Sequence, residues 1–410
     1  MAKYDHRLYR IILFQTIFGN SYMGEYFRRN VVKKLQKNLI ILFVIIQELF
    51  YLIPSTIIWY ISKTSYAADF QFKGTAVHNT MDYLIQIYHF CMMMEFSAIK
   101  MTNIFYGHRI IEIIQTIGDG TNIDSSSNSN RRLLYYRFIY VFIIIIILMY
   151  SSAFGIVASI IERQPFAIVI GFMLGGTIFG ANISSLATMY LYAAILVNER
   201  IQSYKEQLPL YSNYGKLFQE MIRLRDNIGH INSHLSIAML VKILTCGLRM
   251  ATCICILDHL SIKPSLAMLP PAIAFIIMFL DIWLSCMASQ SMHTEMEDFI
   301  HEIQKHIALA VSSNNNYHHH HHHHQQQQRN QSNKMMIMTN NNNNKSIRPL
   351  IINDSEYHCL EQICSMHDSF YFNVKEMFDL TNQTMLSLIS YVLSNAILLI
   401  QTKDSHVEFE

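Results

Sequence analysis

Seven stretches of this chain are apolar for about 18 residues or more, and each is long enough to cross a hydrocarbon core about 30 Å thick. They run over Leu39–Ile61, Met81–Ile99, Leu133–Ile160, Phe166–Val197, Leu235–Leu257, Leu266–Ala288 and Leu380–Gln401. The third contains Ile143 through Ile147 in one block, and the fourth is too long for a single crossing, so it is expected to continue into water as helix. The rest of the composition agrees. Charged residues are 15% and hydrophobic residues 51% of the 410, whereas a soluble globular chain carries about 25% charged residues. A soluble enzyme is excluded. No signal peptide is expected before the first span, because Arg28, Arg29, Lys33 and Lys34 stand just ahead of it and no long apolar segment comes earlier.

Orientation follows from Lys and Arg in alternate loops. The segment before the first span holds eight, and the loops after spans two, four and six hold four, five and six, a total of 23. The opposite side collects Lys63, Lys73, Arg163, Lys263 and Lys403, a total of five. The N-terminus is therefore expected in the cytoplasm and the C-terminus outside. This reverses the arrangement of a rhodopsin-like receptor, and span seven contains no proline. The expected fold is all-α: a polytopic membrane protein of seven transmembrane helices, with helices four to seven extended into a cytoplasmic bundle. Its divisions are a cytoplasmic segment 1–37, spans one to six over 38–290 with an arm at 198–234, a cytoplasmic loop 291–379, the seventh span 380–402 and an outer tail 403–410.

The long loop has three parts. Ser291–Val311 places Met296, Phe299, Ile300, Ile303 and Ile307 at helical steps and prolongs span six. Residues 312–345 contain seven consecutive histidines from His318 between Asn and Gln tracts, and are expected to be disordered. Glu356–Phe378 returns to helix-like spacing. The loop after span four reads as two helical arms, Tyr190–Leu208 and Lys216–Leu235, joined near Pro209.

Several residues carry chemistry unusual in hydrocarbon. Lys242 and Asp281 lie about two turns from the inner ends of spans five and six, at matching depth, and are expected to pair. Ser387, Ser390, Ser394 and Asn395 recur on span seven at mostly three- and four-residue spacing. This polar stripe faces either water in a conduit or a neighbouring helix. Ile397, Leu398 and Ile400 beyond it suit a constriction that closes by dewetting. Candidates for a ligand site opening outward are Asp82, Gln86, His89, Tyr150, Ser151, Thr177, Arg249 and Thr252. No metal-ligand spacing, histidine box or nucleophile elbow is present, so neither metal nor other cofactor is expected, and no basic patch points to nucleic acid. A secondary transporter is the main alternative, hinted at by Gly171, Gly175, Gly176 and Gly180 in span four; a G-protein-coupled receptor fails on charge topology.

Two segments resemble the insect gustatory receptors, relatives of the insect odorant receptors. The arm Ile222-Arg-Leu-Arg-Asp-Asn-Ile-Gly-His-Ile-Asn232 is similar to the family's approach to span five, where an Asn recurs. The end of span seven is similar to the family signature of Thr-Tyr, five hydrophobic residues, Gln and Phe; here Ser394-Asn395 precede Ala396–Ile400, followed by Gln401-Thr402. Only the hydrophobic run and Gln401 match outright, with Tyr391 supplying an aromatic one turn earlier. The resemblance implies a tastant-gated, nonselective cation channel of four subunits in the plasma membrane of sensory neurons. It also implies a pore lined by span seven, Gln401 at its gate, and a sugar or bitter compound as ligand.

Overall fold

The computed structural model describes residues 76–119, 126–156, 159, 165–208, 214–261, 268–328, 354–374 and 377–405. The expected first span, Leu39–Ile61, lies outside them, as do residues 1–37 and 329–353. Five long helices come first: α1 (Ala76–Asp119), α2 (Ser126–Ile156), α3 (Phe166–Gln207), α4 (Tyr214–Ser261) and α5 (Leu269–Gln328). A short helix α6 (Asp354–Cys364), a 3₁₀ turn (His367–Ser369) and a two-stranded ribbon follow, with β1 (Asn373–Val374) antiparallel to β2 (Phe378–Asp379). Helix α7 (Asn382–Ser405) closes the chain. Within these helices, Val169–Gln207, Tyr214–Asp258, Leu269–Leu309 and Asn382–Gln401 are long and apolar enough to cross a membrane. The chain is a multi-pass membrane protein.

Helices α3 and α4 are 42 and 48 residues long, about 63 and 72 Å at 1.5 Å per residue. Each is more than twice the thickness of hydrocarbon, so a second bundle lies beyond the membrane-spanning one. Its core is built on a regular seam. Leu217, Met221, Leu224, Ile228, Ile231, Leu235 and Ala238 of α4 step by four and three residues, and all are buried. That is the spacing by which a helix presents one stripe to its neighbours. Met292, Met296, Phe299 and Ile303 of α5 meet it, and Leu360 and Ile363 of α6 complete the contact.

The segment Glu356–Phe378 is helical only as far as Cys364. Beyond it Phe370, Phe372 and Val374 are fully buried while Tyr371 and Asn373 are half-buried. This alternation of period two belongs to an extended chain, and β-branched and aromatic residues favour it. Phe372 is tied down at both ends: its N–H donates to Ser289 Oγ of α5 (2.8 Å), and its carbonyl accepts from Leu380 N–H (2.7 Å). Asn232, the residue on which the arm's family likeness rests, is buried and donates to the Tyr371 carbonyl at 3.1 Å. The low-complexity segment also differs in part from expectation. Helix α5 continues to Gln328 and takes in His318–His324, because no Pro or Gly interrupts it between Ser312 and Gln328.

The glycines of α3 have two different surroundings. A Cβ on Gly180 would lie 3.2 Å from the Ile147 Cα and 3.0 Å from the Tyr150 ring, so its absence brings α2 and α3 together. Gly171 and Gly175 have nothing within 4 Å of that position. We predict that Gly180→Ala lowers the thermal midpoint of the detergent-purified chain. Gly171→Ala should be neutral or raise stability by up to about 1 kcal/mol, through the helix propensity of Ala over Gly. Equal effects at the two sites would contradict this packing.

Candidate functional site

The buried seam of α4 does not end at Ala238. Continued upward in the same steps it reaches Lys242, Cys246, Arg249 and Cys253, all fully buried. Two cations thus stand on the stripe that packs against α1, α3 and α5, where a charge survives only if paired. Lys242 Nζ is salt-bridged to Asp281 Oδ2 of α5 and donates to the Ile183 carbonyl of α3 at 3.1 Å. Arg249 Nη1 donates to Glu95 Oε2 of α1, and Nη2 donates to the Tyr88 hydroxyl at 3.2 Å. All four charged side chains are fully buried.

Around Arg249 the surroundings turn aromatic. Its guanidinium lies 4.7 Å from the Tyr88 ring centre and 5.9 Å from that of Phe179, distances suited to cation–π attraction. Tyr150 of α2 meets Phe179 edge-on with centres 5.0 Å apart. Among the described residues, the Tyr150 hydroxyl and Arg249 Nε have no hydrogen-bond partner. Four helices therefore converge on a site with a paired cation, three aromatic walls and two unspent polar groups.

The other ligand candidates divide plainly. Gln86 and His89 are half-buried two residues and one residue from Tyr88, and Ser151 is buried beside Tyr150. Thr177 and Thr252 turn their hydroxyls onto their own helices, donating to the Met173 and Leu248 carbonyls. The Asp82 side chain lies outside the described residues. Tyr88, Phe179 and the pairing of Glu95 with Arg249 were not anticipated. Lys100 had marked the start of the loop after span two. In fact Lys100 is buried with Nζ 5.6 Å from the Phe96 ring centre, and α1 runs on to Asp119.

Helix α7 presents the second feature. Met385, Leu388, Val392 and Ala396 are buried at helical steps against α4 and α5. Tyr391 packs on α4 where Gly247 leaves room; a Cβ there would come within 2.9 Å of the ring. Ser387, Ser390, Ser394 and Gln401 lie on the opposite side and are exposed, with Ile397 and Leu398 flanking them. Asn395 leaves the stripe: it is half-buried and donates to the Tyr391 carbonyl at 2.7 Å. Ile400 is half-buried and lies about a third of a turn from the serines, at 100° per residue. Only 22% of the span Asn382–Gln401 is buried, against more than half of the spans in α3, α4 and α5.

At the far end of the bundle, His293 and Glu297 of α5 approach His367 of the 3₁₀ turn. Burial, and then Asp368, push the nearby Asp379 carboxyl above its ordinary range.

The chain matches the structure of the insect olfactory receptor OR5 from Machilis hrabei with a TM-score of 0.55, over 96% of this chain and 97% of that one. Identity is 11%, so the likeness is one of fold. No protein-family model and no curated protein sequence matches the chain.

The two ion pairs give a direct test. Removing one partner should cost about 3–5 kcal/mol, because it strands a charge in low dielectric. We therefore expect Lys242→Ala, Asp281→Ala, Glu95→Ala and Arg249→Ala each to reduce detergent stability sharply. The double variants Lys242→Ala/Asp281→Ala and Glu95→Ala/Arg249→Ala should lose less than the sum of their singles. Additive losses in thermal unfolding would mean that the pairs are not coupled.

Proposed function

We propose that the chain is a subunit of a ligand-gated, nonselective cation channel of the insect chemosensory type. The observation that carries this reading is the exposed polar face of α7. In hydrocarbon, hydroxyl and amide groups need partners or water, yet Ser387, Ser390, Ser394 and Gln401 are exposed. A conduit shared between subunits supplies water to that face, and a tetramer about a central axis places one α7 from each subunit around it. The full-length fold likeness to an olfactory receptor supports the class. The arm Ile222–Asn232 and the Gln401 signature favour the gustatory branch, hence a tastant as ligand and the plasma membrane of sensory neurons as location. On this reading the extended bundle and the N-terminus lie in the cytoplasm.

The ligand site is the aromatic enclosure around Arg249. Tyr150 and Arg249 Nε offer hydrogen bonds, and Tyr88 and Phe179 offer stacking walls, to a small molecule with polar acceptors. Tyr150→Phe keeps the ring against Phe179 and removes one hydrogen bond worth about 1 kcal/mol. It should raise the half-maximal ligand concentration about fivefold without changing surface expression. An unchanged concentration–response curve would remove Tyr150 from the site.

Whole-cell recording during a screen of sugars and bitter compounds tests the activity itself. A ligand-evoked cation current is expected; saturable uptake without current would favour a transporter. Ile400→Ser should raise basal leak by wetting the constriction, and Gln401→Ala should change selectivity or block by large cations. If neither alters basal or evoked current, α7 does not carry the gate.

A further inference from the structure

Far from the aromatic enclosure, three side chains with metal-binding chemistry meet across two elements separated by about 70 residues of sequence. His293 and Glu297 are four residues apart on α5, so they stand on one face of the helix. His367 comes from the 3₁₀ turn. One ligand atom from each lies within 4.8 Å of the other two, and His367 Nε2 is 3.9 Å from Glu297 Oε1.

Two further details bear on whether this is a site or a chance meeting. The Nδ1 of His367 lies 3.0 Å from Asp368 Oδ1. A ring whose Nδ1–H donates to that carboxylate turns its Nε2 lone pair toward Glu297, and this is the carboxylate–histidine arrangement that orients metal ligands. His293 is 7% exposed, and its Nδ1 has no hydrogen-bond partner among the described residues. It lies between His367 (ring centres 4.0 Å, tilted) and Tyr371 (4.0 Å, stacked). A buried polar nitrogen without a partner, beside two side chains already turned toward each other, is an incomplete coordination shell.

We propose that His293, Glu297 and His367 bind a divalent cation of the zinc class, fastening the segment that leads into α7 to helix α5. Two imidazoles and one carboxylate suit zinc rather than calcium or magnesium, which take oxygen ligands. Three protein ligands leave the fourth tetrahedral position to water. Ligand atoms of a tetrahedral zinc stand about 3.3 Å apart, so the three groups close in slightly on binding; Glu297, half-exposed, has room to move. The fastening acts through Tyr371, which stacks on His293, and Phe372, whose N–H is held by Ser289 one turn earlier on α5. The inference does not rest on the channel reading.

The histidine run His318–His324 would itself hold zinc, so the test uses the full-length chain with those seven residues changed to alanine. Purified in detergent and titrated with Zn²⁺ against a chromophoric chelator, it should retain one equivalent per chain. With Co²⁺ it should show the visible absorption of a four- or five-coordinate site. His367→Ala should weaken Zn²⁺ at least tenfold, and Asp368→Asn about tenfold, the usual loss when an orienting partner is removed. His293 is packed in the core and its variant can misfold, so Glu297→Gln, on a half-exposed side chain, supplies the deciding comparison. Amide exchange over residues 370–380 should slow on adding Zn²⁺ to the parent and not to Glu297→Gln. Failure to retain an equivalent, or equal retention by His367→Ala and Glu297→Gln, overturns the site. Binding without slower exchange overturns the fastening.

Discussion

Two cations on the buried stripe of α4 constrain everything packed around it. Hydrocarbon offers no water to Lys242 or Arg249, so each must find its countercharge within the protein. Asp281 and Glu95 answer from α5 and α1, and the Ile183 carbonyl answers from α3. Such pairs are seldom a net gain in stability over apolar side chains of the same volume; their effect is to penalise every arrangement that separates them. Sliding α4 by one turn against α1 or α5 would strand two charges at once. The register of the membrane bundle is thus set electrostatically, while that of the extended bundle is set by the apolar steps from Leu217 to Ala238.

With α1, α3, α4 and α5 held in register, α7 is left with a narrow seat. Its Met385, Leu388, Val392 and Ala396 occupy that seat, and Gly247 admits the ring of Tyr391. Ser387, Ser390, Ser394 and Gln401, on the other side of α7, are exposed. The segment immediately before it is fixed from several sides, by Ser289 to Phe372, Asn232 to Tyr371 and the Thr384 hydroxyl to the Asp379 carbonyl. A helix anchored firmly at its start and loosely along its length can shift its far end without disturbing the bundle. On the proposed reading, α7 is the element that would respond to events at the Arg249 enclosure.

Much of this was legible in the sequence because long apolar runs and three- and four-residue steps need no partner to be read. The extent of α3, the helix that follows from Tyr214 and the prolongation of α5 follow from those patterns. The depth match that suggested Lys242 with Asp281 required only two helix ends. Other features depended on where distant segments meet. Glu95 pairs with Arg249 only because α1 and α4 meet at that depth, which neither segment shows alone. Phe370, Phe372 and Val374 carry a period-two signal, but only five residues long within a stretch of helical spacing. His293 and Glu297 are an ordinary four-residue pair until the chain brings His367 beside them.

The central claim is that the face of α7 opposite Val392 lines a water-filled path. Cysteine scanning of that helix under voltage clamp tests it most directly. With an aqueous thiol reagent applied during ligand exposure, Ser387→Cys, Ser390→Cys and Ser394→Cys should be modified rapidly and their current reduced. Leu388→Cys and Val392→Cys, on the packed face, should react far more slowly. Equal reactivity around the helix, or modification of the serine positions that leaves the current unchanged, would contradict a pore on this face.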